Sequence, residues 1–408
     1  MSMAKNPFIH ADSLPNREPA PIFSKHKALL FNAIKCLLRN PVRSIVVILC
    51  LTALLCPFVA AIAICEGIKS QFASVLEEGC DVYVARDNYG SNAPIELEMM
   101  EKLRGIQGVT KVVPRVTGRT YVKGKFMAVL GIPSQRAPSS VQIIKGRPSK
   151  AKGEVILGWR AAEYLNLSLG SQFTIKRSLY QDFRIVGLFH SPFNIWNADL
   201  LVMNFEDASD LFGIRGEATD LLVYTRPGYE QIVDIIIQIS EEESGRPPLR
   251  VQTKDLIDRY SKRGFNIKAG VFAGFYCLVL ALGIPALGVI SGFGQSERRR
   301  EIGVMKALGW QTPEVLEMIA LENLVLGLIS APCIVLAATG WIKIFNGALI
   351  SKFFIANLGI MISFPIPSRI FPIPFVLGVM MAMILTMVGS IYSTWRTAIV
   401  PPSEAMKT

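Results

Sequence analysis

The chain has 408 residues, 51% hydrophobic and 18% charged, which is too apolar for an ordinary soluble protein and too charged for one buried throughout in a bilayer. Its net charge of +11 is uneven: residues 66–267 carry 26 Lys/Arg against 24 Asp/Glu, whereas residues 1–43 carry 7 against 2. That placement argues against a nucleic-acid partner and for basic segments beside membrane spans, with the lipid bilayer itself as a partner.

Residues 1–43 divide in two. Pro7, Pro15, Pro19 and Pro21 mark a cytoplasmic tail. From Lys27 to Asn40, Leu30, Ile34, Leu37 and Leu38 share one helical face, with Lys27, Asn32, Lys35 and Arg39 turned away. This pattern predicts an amphipathic helix in the membrane surface, the alternative being an extension of the first span. Asn40-Pro41 breaks it. Residues 44–65 are 22 positions without a charge, enough to cross a bilayer and longer than the apolar stretch of a signal peptide. They form the first span.

Residues 66–267 read as an extracytoplasmic domain. Strands are expected at Asp81–Ala85 and Val109–Val116, a hairpin across Lys123-Gly124-Lys125, and a helix at Ile95–Leu103. Strands at 154–157, 172–176, 183–188 and 200–204, with a helix at Trp159–Leu165, suggest a small β lobe over 146–204. Helices at Phe205–Phe212 and Tyr229–Glu243 and strands at 221–225 and 249–252 complete an α+β lobe of residues 66–145 and 205–267. Asp207 and Asp210 flank a short helix and read as solvated. Cys80 is the domain's single cysteine, which excludes an internal disulfide or zinc cluster there.

From Lys254 a helical pattern runs without a turn signal into the second span, 268–294, of which Ala269–Gly294 is free of charge. Then come five consecutive charges, Glu297 to Glu301, in a polar turnaround over 295–314 that hydrocarbon cannot accept. Ser296 can cap its start, and Ile302 with Met305 gives it a small apolar face. The third span covers 315–342, an extracytoplasmic loop 343–370, the fourth span 371–395 and a cytoplasmic tail 396–408. With both termini inside, the short cytoplasmic segments hold 13 Lys/Arg and the loop between spans three and four holds 3. The fold class is therefore a four-helix membrane protein with an α+β domain between helices one and two, in the cell (inner) membrane. Pro57, Pro285 and Pro332 interrupt three spans, as hinges or as ordinary membrane prolines.

One acid, Glu322, lies early in the third span. It pairs with a cation on a neighbouring helix or senses helix movement, the alternative being that it reaches back to the cytoplasmic surface. No phosphate-cradling G-x-x-x-x-G-K-[ST] loop and no G-x-S-x-G elbow occur, and the only histidines are His10, His26 and His190. No catalytic residues, metal ligands or bound cofactor are expected.

The turnaround ERRREIGVMKALG, Glu297 to Gly309, resembles the E-R-x-x-E-I-G-x-x-x-A-x-G loop of MacB-like ABC permeases, a superfamily with FtsX-like and lipoprotein-release members. Leu38–Arg43, Ala320-Leu321-Glu322, Arg396 with Pro402-Ser403-Glu404-Ala405, and the segments 146–148, 153–155 and 183–187 are similar to the same family, while residues 343–370 form a longer segment than its members carry. The resemblance implies a non-catalytic permease subunit in a homodimer or heterodimer, with ATP and Mg held by a separate ABC ATPase. It implies that Glu297, Arg298, Glu301, Ile302, Gly303, Lys306, Ala307 and Gly309 couple to that ATPase, and that motion passes mechanically to the outer domain. Efflux or extraction, with a periplasmic adaptor in some members, is the expected role. An FtsX-like transducer controlling an extracytoplasmic enzyme is the alternative.

Overall fold

The computed structural model describes residues 22–133, 138–177, 180–229, 231–243, 245–291, 295–355 and 364–399, with backbone alone at 22–25, 180, 286–291, 295–299, 355 and 391–399. The expected tail before residue 22, the P-x-E-A tail and the side chains of Glu297, Arg298 and Arg396 lie outside the described residues.

Helix α1 (Ile22–Arg39) is separated by Asn40 from the long α2 (Pro41–Glu77). Then follow β1 (Val82–Asn88), β2 (Ser91–Ala93), β3 (Ile95–Glu96), α3 (Met99–Arg104), β4 (Val109–Val122), β5 (Lys125–Ile132) and β6 (Gln142–Gly146). Next are β7 (Glu154–Gly158), α4 (Trp159–Tyr164), β8 (Gln172–Lys176), β9 (Tyr180–His190), α5 (Asn194–Asp199), β10 (Leu200–Asn204) and α6 (Phe205–Phe212). β11 (Glu217–Ala218), β12 (Asp220–Thr225), α7 (Ile232–Glu242) and β13 (Leu249–Thr253) lead into α8 (Lys254–Ser291), α9 (Gln295–Ala307), α10 (Thr312–Phe345), α11 (Ile350–Ile355) and α12 (Ile373–Ile399). Four of these, α2, α8, α10 and α12, are long and apolar enough to cross a membrane. Pro57, Pro285 and Pro332 all lie inside helices that continue past them.

The chain divides into two compact units, Cys56–Cys277 with Val335–Leu377, and the remainder. The first is built on a mixed eleven-stranded sheet, ordered β13-β1-β12-β4-β5-β10-β7-β9-β6, with β2 and β8 on its margins. The pairs β5·β10 and β7·β9 are parallel and the rest antiparallel. Its first half is covered by α3 and α7. Met99, Leu103, Ile232 and Ile236 close over Val82, Val84, Leu221 and Val223, all buried. Alternate strand residues meet period-four helix residues, so each element offers one apolar face to the other. Arg86 is 2% exposed and is held by Glu96 at 3.0 Å, Glu243 at 2.5 Å and the Pro247 carbonyl at 3.0 Å. A buried guanidinium is tolerable only with such full pairing, and it ties β1 to β3 and to the end of α7.

The sheet runs without a break across the two expected lobes, and two other expectations need correction. β4 pairs with β12 over Val109–Arg115 and with β5 over Val116–Val122, so the halves meet inside one fourteen-residue strand. The expected helix at Ile95–Leu103 begins only at Met99, because Ile95 and Glu96 are taken into a ladder with Glu217 and Ala218. Asp207 is not solvated: it is 3% exposed and its Oδ2 accepts the Gly153 amide at 2.8 Å, stapling α6 to the loop before β7. Asp210 is half-buried and pairs with Lys152 and Arg215.

In the second unit, Leu37 of α1, Val47 and Leu51 of α2, Leu326 of α10 and Leu385 of α12 share one buried cluster. Gly327 lets α10 approach α12 closely: a Cβ there would lie 3.1 Å from the Met383 Cα. Asn323 Nδ2 donates to Ser390 Oγ at 2.6 Å across the same pair. Small residues and a buried polar contact are what packs helices where water gives no hydrophobic drive.

Candidate coupling site

The charged turnaround folds as a helix, a tight turn and a second helix. α9 ends at Ala307 and is closed two residues on by Gly309, whose φ of +94° only glycine adopts cheaply. The Trp310 amide donates to the Met305 carbonyl at 3.1 Å and the Gly309 amide to Lys306 at 3.0 Å, the Schellman arrangement that satisfies a helix's last carbonyls. The next helix is capped in turn, since Glu314 Oε2 accepts the Gln311 amide at 3.1 Å.

Ile302 is 2% exposed and packs with Val315 and Ile319, closed over by Trp310. The turn is therefore locked by its own apolar core. Of the residues predicted to couple, Ile302 and Gly303 face inward and hold the geometry. Ala307 and Gly309 are exposed, and Lys306 is half-buried. Glu301 lies 3.6 Å from Arg39 Nη1 and points toward α1 rather than away from the protein. The outward ridge is Arg300, Val304 and Leu308, at successive turns, with Leu308 76% exposed.

α1 is the neighbour the turnaround is built against. Leu29, Ala33 and Leu37 are buried, while Leu30, Phe31, Ile34 and Leu38 are exposed. The expected apolar face therefore splits, one stripe entering the protein and the other remaining for lipid. His26 Nδ1 meets Glu317 of α10, and a cleft of about 870 Å³ opens between α1 and α9, lined by Lys35, Cys36, Arg39, Arg300, Glu301 and Leu308 among others. Deeper in the unit, Glu322 is 4% exposed on its side chain, and its Oε1 lies 3.7 Å from Arg43 Nη1 on α2. Of the two readings of this acid, the structure shows the cation partner. Sequence reasoning missed Trp310, Val315 and Arg43; an aromatic residue just after a helix-ending glycine is the one signal that pointed to the first.

A family model for the MacB-like periplasmic core domain matches residues 45–239, and one for the FtsX-like permease C-terminal domain matches residues 273–402. The chain belongs to the MacB/FtsX-like ABC permeases. This permease is similar to an uncharacterized ABC transporter permease of Methanocaldococcus jannaschii, at 24% identity over 178 residues, which is 42% of the chain and 44% of that relative. The match thus spans less than half the length of that curated protein. Among solved structures, the periplasmic region of MacB from Actinobacillus actinomycetemcomitans is similar at 12% identity and a TM-score of 0.37, covering 45% of the permease and 94% of that chain. The extracellular domain of the noncanonic ABC-type transporter YknZ from Gram-positive bacteria is similar at 16% identity and a TM-score of 0.33, covering 43% and 99%. The permease is a membrane protein whose periplasmic MacB-like α+β domain lies between the first and second of its four apolar helices.

Proposed function

We propose that this permease is the membrane subunit of an ABC-type efflux or extraction system and relays the work of a separate ATPase to its periplasmic domain. The observation carrying this reading is α8. It starts at Lys254, the residue after β13, and continues unbroken to Ser291. A helix entering directly from a sheet strand has no slack with which to absorb movement. The turnaround just beyond it is held rigid by Ile302 and Trp310 and presents Arg300, Val304 and Leu308 outward. An exposed charged and apolar ridge on a stiff hairpin suits a protein partner, here the nucleotide-binding subunit with its ATP and Mg.

A second permease chain is the other partner. The apolar window of α8 is only 6% buried, against 44% for α2 and α10 and 33% for α12. Its exposed Ile267, Val271, Phe275, Leu278 and Leu282 recur at three- and four-residue spacing, the stripe of a helix that meets another helix. The positive-inside count puts both termini and the turnaround in the cytoplasm.

The deciding experiment is reconstitution with the cognate ATPase in vesicles, comparing the wild type with Arg300→Glu and Leu308→Glu. ATP-driven export should be lost while insertion and folding persist, and export unchanged in both variants overturns the proposal. ATPase recruitment without any export, accompanied by activation of a periplasmic hydrolase, points instead to FtsX-like signalling.

A further inference from the structure

The near balance of charge over the periplasmic domain conceals two unlike halves. Residues 116–204, which form the half of the sheet from β5 to β6, carry 12 Lys/Arg against 4 Asp/Glu. The remainder of residues 66–267 carries 14 against 20. A basic half attracts an anionic surface, and its position decides which one is in reach. β4 and β5 meet in a hairpin that descends towards the spans. Val113 and Ile132 face a chamber walled by Val75 and Leu76 of α2 and Ile257 of α8. Nearer the hairpin tip, Arg119 and Ala128 face a second chamber, walled by Ile68 and Phe72 of α2 and Phe265 of α8. Ile68 lies three residues past the charge-free stretch that ends at Cys65, and Phe265 four before the one that begins at Ala269. At about 1.5 Å per helical residue, both stand about 5 Å above the hydrocarbon. The ladder continues past Arg119 to Val122 opposite Lys125, with Lys123 and Gly124 at its tip. That brings the tip to the headgroup layer, about 5–7 Å deep on each side of a bilayer.

The side chains at the tip suit that layer. Arg119 stands opposite Ala128 and Tyr121 opposite Phe126, so the four share one face of the hairpin. The helices cover this face at Arg119. Two residues on, Tyr121 is 59% exposed, its ring 5.1 Å from that of Phe126. The reverse face is filled, since Thr120, Val122 and Met127 are buried. Lys123 is exposed at the tip, donating to the Leu165 carbonyl at 3.4 Å. Lys125 stands 5.1 Å over the ring of Tyr164, itself 43% exposed at the end of α4. Neither lysine pairs with a carboxylate among the described residues. Tyrosine rings beside lysines that can reach phosphates are the makeup of a membrane-interface belt. A second copy of this basic half would be repelled by it.

We propose that the β4–β5 tip, with Tyr164, rests on anionic lipid in the periplasmic leaflet. The rings of Tyr121, Phe126 and Tyr164 lie among the headgroups, and Lys123 and Lys125 meet anionic phosphates. The basic half of the domain thus stands on the bilayer itself, a support separate from α2 and α8. This footing is distinct from the coupling surface, and its test needs no ATPase, so its failure would leave the coupling proposal intact.

The test is photo-cross-linking of the full-length protein, with p-benzoylphenylalanine in place of Tyr121, in nanodiscs of phosphatidylglycerol or of phosphatidylcholine. The control carries the same probe in place of Tyr229, 38% exposed beyond Thr225, which lies opposite Val109 at the other end of β4. Lipid adducts are counted by mass spectrometry after irradiation. Adducts at position 121 in phosphatidylglycerol should exceed those at 229, and those at 121 in phosphatidylcholine, by at least about fivefold, the weight of one basic side chain at an anionic surface. Lys123→Glu with Lys125→Glu should abolish the difference between the two lipids. Equal yields at 121 and 229, equal yields in the two lipids, or a difference that survives both charge reversals overturns the proposal. Cross-linking of position 121 to a second permease chain without lipid adducts does so too, and assigns the face to a protein contact. Should the charge-reversed protein not fold, salt takes its place: at about 1 M the yield in phosphatidylglycerol should fall to that in phosphatidylcholine, and a yield insensitive to salt overturns the proposal.

Discussion

Arg43 Nη1 stands 3.7 Å from Glu322 Oε1, joining α2 to α10 by an ion pair whose acid is almost completely buried. Two charges taken from water hold each other weakly in net terms, yet removing one partner leaves the other to bear its desolvation alone. Glu322→Ala should therefore destabilise the permease by about 2–4 kcal/mol, read by thermal unfolding in detergent. The double replacement Arg43→Met with Glu322→Leu should recover most of that loss. Equal instability of the single and double variants would show that the pair matters for something other than its charge.

Ile302 and Leu308 lie on one short stretch but should respond oppositely. Ile302→Ala empties the cluster with Val315, Ile319 and Trp310 and should cost about 2–4 kcal/mol of stability, as for other buried aliphatic truncations. Leu308→Ala, at a position 76% exposed, should change stability by less than about 0.5 kcal/mol while weakening ATPase coupling. Denaturation together with ATPase co-purification separates the two effects.

Gly309 tests the turn itself. A φ of +94° is strained for any side chain, so Gly309→Ala should lose about 1–2 kcal/mol and Gly309→Val more, with Asn the best-tolerated replacement. The readout is the melting temperature, paired with ATP-driven activity of the reconstituted complex. Activity falling further than stability is the expected outcome, because a loosened turn transmits less motion.

Asp199 gives the periplasmic domain a pH signature. Its folded carboxyl titrates at about 7, above an unfolded value of about 4, so the folded state binds the extra proton between those limits. Stability should thus decline as pH rises from about 4 to about 7 and level off beyond it, by about 2–4 kcal/mol in total. Asp199→Asn should flatten that part of the profile, checked by urea unfolding across the range.

Much of this molecule is written locally. A stretch of 22 uncharged residues must form a span and five consecutive charges must stay out of hydrocarbon, so four spans and a polar turnaround followed from the chain alone. Most strands of the domain were likewise marked by short apolar runs between turn residues, and the five charges with Ile302 and Gly303 marked the polar turnaround as a candidate for coupling.

What the sequence could not decide were choices between equivalent surroundings. Leu29 and Leu30 are alike in chemistry, yet one packs inside and the other faces outward, because lipid and protein interior are both apolar and hydropathy does not separate them. Asp207 reads as a surface acid until the Gly153 amide, 54 positions away in the chain, is brought to its carboxylate. Ile302 reads as part of a gripping face until Trp310, Val315 and Ile319 close over it. Composition and charge fix which segments may leave water; only the folded arrangement brings distant partners together, and those partners determine which side chains remain available to another molecule.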